Sequence, residues 1–404
     1  IMEKARNILF FGDFGCTTGF GSVSKQLIDH WTKMLNDEDK IMVLALNNFG
    51  KEAYEYNDKV VVVPALNTRE ERDKDPLCRN SFLKFMFNMK FTHVFLFNDV
   101  EVFNPLKDYI SDIRKKQIKT LKQSFKTIIY FPIDSAPRKE DLDILKIINY
   151  QFTYTNYAKD VVLEKITSAK YLEVAHHGTD TKSFYPLVEK NRKRLSATAD
   201  FVFGSVNRNS ARKDVASLIM AFYHLKTQIK EPSICLYLHM NPLDKYGVNI
   251  ERLCDRLDLV YGKDVICPKD FNENAGVSNE DLNEIYNAMD CFVTTTTAEG
   301  WGLSVVEAMA CKVPVIAPMH TSLKEITNDG NLVYPVKELK PNVFVQDYEK
   351  IRMQSDVQEV ASTMLKVLNE WKSDKQKRLV NSAYNKAISY KWQETAEKLF
   401  TAFK

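Results

Sequence analysis

Residues 294–318 read TTTTAEGWGLSVVEAMACKVPVIAP, and they limit the fold more than any other stretch of the chain. Cys291–Thr297 is apolar and β-branched, as a buried strand should be. The glycine-rich Glu299-Gly300-Trp301-Gly302 cannot continue it and reads as a tight loop. The spacing then predicts a short helix over 304–311 and a second apolar strand over 313–318. Strand, glycine loop and helix N-terminus in that order make an anion seat. The first N–H groups of a helix lack internal partners, and its dipole favours negative charge there. Gly300 and Gly302 allow close backbone approach. Glu299 precedes the helix, and Glu307 lies three residues beyond Ser304, on the same face. Ionised carboxylates only accept hydrogen bonds, which suits sugar hydroxyls. A ligand with phosphates on the N–H groups of Gly302, Leu303 and Ser304, flanked by the two glutamates, has the shape of a nucleoside diphosphate sugar.

This stretch, with seven residues between its glutamates and a PVIA strand behind it, resembles the signature of retaining glycosyltransferases of family four, which have the GT-B fold. The resemblance implies an α/β chain of two Rossmann-like domains with a deep interdomain cleft. It also implies a C-terminal helix that crosses back to the N-terminal domain. Glu299 would contact the donor hexose and Glu307 the ribose, with Trp301 in the same donor loop.

At 404 residues the chain is long enough for two domains. Its 45% hydrophobic and 27% charged content is that of a soluble globular protein. No run of eighteen apolar residues suggests a membrane span. A net charge of +3 does not by itself argue for nucleic acid. The N-terminus runs into a strand without the apolar segment of a signal peptide. Seven cysteines form no CxxC pair, so reduced thiols and a cytoplasmic location are expected.

The first domain is expected over 1–186. Strands are read at Arg6–Gly12, Lys40–Leu46, Val60–Pro64, Thr92–Phe97, Thr127–Phe131, Gln151–Thr155 and Tyr171–Val174, with helices between most of them. GDFGCTTGFGSVS, between the first strand and a helix over 24–34, is a glycine-rich turn of the kind that meets ligands. Gly19 and Gly21 are its candidates for close approach to donor phosphates. Asp13 there is either an acceptor contact or an Asx-turn residue. Asp99 follows the fourth strand, as a site residue or a helix N-cap. Asp134 follows the fifth strand, where the resembled family often has a His-Asp pair, and stands as a catalytic candidate. Lys and Arg residues over 114–126 form either a solvated face or a peripheral contact with an anionic surface, lipid or nucleic acid. Adjacent His176 and His177 cannot point the same way in extended chain, so at most one of them is expected to reach substrate. They have no spacing partner for zinc. Gly178, Asp180, Phe184 and Pro186 match the family's interdomain segment.

The second domain is expected over 187–388, with a crossing helix over 389–404. It opens with a strand at Phe201–Val206, and another is read at Ser233–His239. Arg208 and Lys213 match the family's diphosphate-binding pair. Fixed cations there would stabilise the charge that builds on the departing nucleoside diphosphate. Asp214, Lys312 and the HTSLKE segment at 320–325 stand where the family has glycines, while Glu325 matches. Pro268 and Lys269, after a strand at Asp264–Pro268, are assigned to the base pocket. The DxD strings at 73–75 and 141–143 lie in charged loop or helix contexts and are not read as metal motifs.

The expected activity is metal-independent transfer of a hexose, with retention, from a donor such as a UDP- or GDP-sugar. The acceptor would be a glycan, lipid, protein or nucleic acid, and no cofactor is expected. A GT-B nucleotide-sugar isomerase and a non-catalytic nucleotide-sugar binder are the alternatives.

Overall fold

The computed structural model describes residues 5–50, 52–122, 124–166, 172–269, 271 and 276–404. The chain divides into two compact units, residues 1–178 with 392–404, and residues 179–391. The boundary thus falls after Gly178, not after Pro186. The reason is backbone pairing: Thr179 N–H donates to Tyr390 O at 3.0 Å. Tyr185 and Leu187 N–H donate to the amide oxygens of Asn283 and Asn287 at 3.1 and 2.8 Å.

The first unit is built on one sheet. Its strands are β1 (Asn7–Asp13), β2 (Lys40–Phe49), β3 (Tyr54–Asn57), β4 (Val60–Leu66), β5 (His93–Phe97), β6 (Lys126–Phe131), β7 (Tyr150–Thr153) and β8 (Leu172–Val174). Their order is β3-β4-β2-β1-β5-β6-β7-β8. Only β3, absent from the sequence reading, runs antiparallel, against β4. β1 and β5 read as continuous apolar runs because helices cover both faces of a parallel sheet. The order reverses beside β1, between β2 and β5, so the loops after β1 and β5 share the switch point. Helices α1 (Gly19–Met34), α2 (Arg79–Asn88) and α3 (Lys107–Leu121) belong to this unit. So does the C-terminal helix Trp392–Phe400. Trp31 of α1 is wholly buried and donates its indole N–H to Ala396 O at 2.9 Å. Gly178 meets the same segment so closely that a Cβ there would lie 2.1 Å from Trp392 N.

The second unit is a doubly wound sheet of β9 (Phe201–Val206), β10 (Ile234–His239), β11 (Val265–Ile266), β12 (Cys291–Val293), β13 (Val315–Pro318) and β14 (Tyr334–Val336). All pairings are parallel, in the order β11-β10-β9-β12-β13-β14. Its helices include α4 (Val215–Gln228), α5 (Asn279–Ala288), α6 (Leu303–Ala310) and α7 (Thr321–Ile326). An antiparallel hairpin, β15 (Leu339–Phe344) with β16 (Lys350–Ser355), follows β14. The sequence reading missed it: Pro341 and exposed Lys340 obscure the strand pattern. No helix among the described residues is long and apolar enough to cross a membrane.

Candidate active site

Sheet order explains what this unit brings together. β9 and β12 are neighbours at the point where the strand order reverses. In such sheets the loops leaving the carboxyl ends of those strands line a ligand crevice. The loop after β9 carries Arg208, Arg212 and Lys213; the loop after β12 carries Glu299. The two loops are stitched together. Thr297 donates its N–H (2.8 Å) and its hydroxyl (2.9 Å) to Arg212 O, and Thr295 donates its hydroxyl to Asp214 O at 2.8 Å.

Glu299 is buried between two cations. Lys213 Nζ bonds Oε1, and Arg212 Nη1 lies 3.3 Å from Oε2 and donates to Ala298 O at 2.5 Å. Burial opposes ionisation of this carboxyl, but the charges of Lys213 and Arg212 prevail and hold it down at about 2. Arg208, the other cation read from the sequence, pairs with Asp244 at 2.8 Å, its guanidinium 4.9 Å from the Tyr246 ring centre. The sequence reading missed Arg212. Its only sign was a second cation directly before Lys213, which passes for a solvated neighbour until β9 and β12 are paired.

The loop before α6 is propped from behind. Ser322 donates its hydroxyl to Glu299 O at 2.9 Å and Trp301 O at 2.8 Å. Glu299 N–H donates to Thr321 Oγ1 at 3.2 Å, and His320 Nε2 lies 2.7 Å from Thr296 O. Gly302 caps α6 with φ +105°, a left-handed value that a side chain would strain. Leu303 and Ser304 open the helix one residue earlier than the spacing suggested, and both are half-buried. Gly300 is also half-buried. Trp301 is buried, with its ring centre 5.0 Å from that of Tyr390.

Glu307 sits one turn inside α6 and accepts the Tyr286 hydroxyl on Oε2 at 2.7 Å. Desolvation raises its carboxyl to about 7; the Tyr286 bond lowers it and the charge of Asp180 raises it further. Tyr286, wholly buried on α5, was not singled out from sequence, where it reads as a core residue.

Three residues that replace the family's glycines keep a glycine-like backbone. Asp214, Lys312 and Thr321 have φ of +47°, +55° and +44°. Asp214 does not confront a phosphate seat. Its carboxylate caps α4 at Ser217 N–H (3.4 Å) and accepts Gln354 Nε2 at 3.0 Å from the hairpin. Met353 N–H of the same hairpin donates to Thr297 O at 3.2 Å, so β16 braces both loops.

The remaining candidates lie on other loops of the two units. Pro268 is half-buried and Lys269 exposed, just past β11, which β10 and β9 separate from β12. Residues 270 and 272–275 of that loop lie outside the described residues. In the first unit, Gly19 and Gly21 are not loop glycines: α1 begins at Gly19, capped by Thr18. Gly21 is needed internally, since a Cβ there would lie 2.4 Å from Cys16 O. Asp13 is buried and accepts Thr18 Oγ1 at 2.7 Å and Asn47 Nδ2 at 3.0 Å, with its carboxyl raised chiefly by burial. Asp134 is half-buried after β6 and accepts the Ser135 hydroxyl at 3.1 Å. His177 is a core residue. Its ring packs among Tyr154, Trp392 and Tyr130, and burial lowers it to about 3. Of the DxD aspartates, Asp75 caps α2 at Arg79 N–H (2.9 Å), Asp141 pairs with Arg138 and Asp143 with Lys146.

The family described as Glycosyl transferases group 1 matches residues 274–386, which include the whole Glu299–Glu307 loop and helix. The matched stretch lies within the second unit. Mannosylfructose-phosphate synthase of Agrobacterium fabrum is 24% identical to this chain over 190 residues, 46% of this chain and 41% of that protein. The chain spans less than half the length of the curated relatives it matches. Among solved structures, sucrose-phosphate synthase from Thermosynechococcus elongatus superposes with a TM-score of 0.72 at 16% identity, covering 98% of each chain. Anabaena HepE in complex with UDP-glucose gives 0.69 at 13% identity, covering 98% of this chain and 99% of that one. The fold is GT-B, as the sequence signature implied.

Proposed function

We propose that the protein is a glycosyltransferase that moves a hexose from a nucleoside diphosphate sugar to an acceptor hydroxyl with retention at the anomeric carbon. The observation that carries this reading is the ionised, buried Glu299 held by Lys213 and Arg212 beside the N-terminus of α6. Such a constellation suits a sugar diphosphate. The cations and the free N–H groups of α6 would take the diphosphate, Glu299 would accept hydroxyls of the hexose, and Glu307 those of the ribose. As the glycosidic bond breaks, negative charge moves onto the leaving diphosphate, where Lys213, Arg212 and Arg208 would stabilise it. The diphosphate would then accept the acceptor's proton on the same face. Because two or three cations and a helix terminus can neutralise the leaving group, the reaction is proposed to need no metal and no cofactor.

Asp134, Gly19, Pro268 and Lys269 remain candidate contacts in this reading. Support for a UDP-linked donor comes from the likeness to HepE with UDP-glucose bound, and for a mannosyl or fructosyl context from the relative's name. A cytoplasmic location is supported by seven free cysteines, six of them buried.

The test is a panel of UDP- and GDP-sugars, with thermal shift and slow donor hydrolysis read with and without a chelator. One donor should raise the melting temperature and release nucleoside diphosphate at a rate the chelator leaves unchanged. With an acceptor in hand, NMR of the product should show the donor's anomeric configuration. Chelator-sensitive release, or inversion, would refute those parts of the reading. Lack of any shift would refute the donor assignment.

A further inference from the structure

The basic run read from the sequence changes character in the structure. Ile110 and Ile113 of α3 are buried. Arg114, the one guanidinium of this helix, is turned inward: it donates to Ile147 O at 2.9 Å, Thr127 Oγ1 at 2.8 Å and Asn149 Oδ1 at 3.2 Å. Lys126 is likewise engaged, with Lys404 O at 2.9 Å. What remains in water is a ridge of ammonium groups, Lys115, Lys116, Lys119 and Lys122. The acidic residues of the helix, Asp108 and Asp112, lie in its first half. Asp112 meets Lys115 at 3.5 Å in a pair so exposed that it neutralises little.

Large apolar side chains flank this ridge. Ile118 is 51% exposed, and Phe87, at the end of α2, is 58% exposed. The Lys116 ammonium lies 5.8 Å from the Phe87 ring centre. Lys90 and Lys116 border a shallow hollow between the two helices, floored by Met86, Met89 and Ile113. A merely solvated face gains nothing from exposing Phe87 and Ile118 among lysines.

We propose that this ridge is a docking surface for a bilayer rich in anionic phospholipid. The lysines would lie at the headgroup phosphates, with Phe87 and Ile118 dipping into the acyl boundary between them. Nucleic acid fits less well. The guanidinium suited to bidentate phosphate contact is turned inward, and aliphatic Ile118 stands beside Phe87 where successive bases would want a second stacking ring.

The test is co-sedimentation of the full chain with vesicles of phosphatidylcholine alone and of phosphatidylcholine mixed with an equal part of phosphatidylglycerol. Binding is expected to the mixed vesicles only, and to weaken as salt rises. Lysines near an anionic surface contribute about fivefold each to partitioning. K116E/K119E/K122E should therefore lower it by more than about a hundredfold. F87S/I118S should weaken binding while leaving its salt dependence in place. Because these side chains are exposed, circular dichroism of the variants should match wild type. Two results would overturn the proposal: equal sedimentation by the triple variant, or no sedimentation with mixed vesicles. So would a lysine-dependent affinity for an oligonucleotide that exceeds the affinity for vesicles at the same salt. None of these readouts involves a sugar donor, so the proposal stands or falls apart from the transferase reading.

Discussion

Glu307→Gln tests the electrostatics of the site with a sign that can be worked out in advance. Glu307 ionises near its ordinary 4.5 in the unfolded chain but at about 7 in the folded protein. A carboxyl raised on folding contributes stability that is complete below the unfolded value and is lost as pH climbs through the folded one. Each pH unit between the two is worth about 1.4 kcal/mol. The wild type should therefore lose about 3 kcal/mol from this group between pH 4 and pH 8. The substituted glutamine has no proton to lose, yet its amide oxygen can still accept the Tyr286 hydroxyl. Urea denaturation of the second unit, run at both pH values on both proteins, gives a double difference in which every pH-independent effect of the substitution cancels. Relative to wild type, the variant should gain about 3 kcal/mol between pH 4 and pH 8. A double difference near zero would refute the raised carboxyl of half-buried Glu307; an opposite sign would mean that Glu307 is stabilised as an anion in the free protein.

Other substitutions probe the neighbouring residues. Tyr286→Phe removes the hydroxyl that lowers the Glu307 carboxyl, so UDP or GDP binding should weaken at neutral pH and recover partly at higher pH; calorimetry with either nucleotide across that range would detect it. Lys213→Ala leaves Glu299 buried beside Arg212 alone. Urea titration should show a loss of about 3 kcal/mol, and turnover should fall ~10²–10³-fold. Adding Glu299→Gln should recover stability but not turnover, which separates charge burial from catalysis. Acid acts on Glu299 in the opposite sense to Glu307. Held down at about 2, its contribution is present above its ordinary 4.5 and disappears as pH falls towards 2, so Glu299→Gln should flatten that part of an acid-unfolding curve. Gly178→Ala places a Cβ against the Trp392 backbone, which cannot rotate away. It should lower stability by about 2 kcal/mol or more in thermal unfolding; an unchanged melting temperature would contradict that approach.

Local chemistry was legible without a structure. Runs of apolar, β-branched residues announce buried parallel strands because both faces are covered, and most strands read from the sequence of the two main sheets needed only small changes of boundary. The largest change is in Cys291–Thr297, which shortens to Cys291–Val293 as its threonines turn to hold the Arg212–Asp214 loop. The glycine loop between Glu299 and Glu307 was legible for the same reason: few backbones other than a strand-to-helix turn require that pattern. β3, β14 and the 339–355 hairpin were not legible, since short edge strands carry little periodic signal.

The sequence by itself therefore determined the alternation of strands and helices and the glycine-rich strand-to-helix turn before α6, because both follow from contacts within a few residues, and the resemblance of that turn to a known signature implied the fold. Only the tertiary structure decided which cation meets Glu299. Arg212 and Glu299 are 87 positions apart, and the parallel pairing of β9 with β12 makes them neighbours. It also decided that His177 is a packing residue, that Gly21 answers to Cys16, and that Asp214 caps a helix. Burial and partner choice are properties of the folded surroundings, and a linear pattern does not contain them.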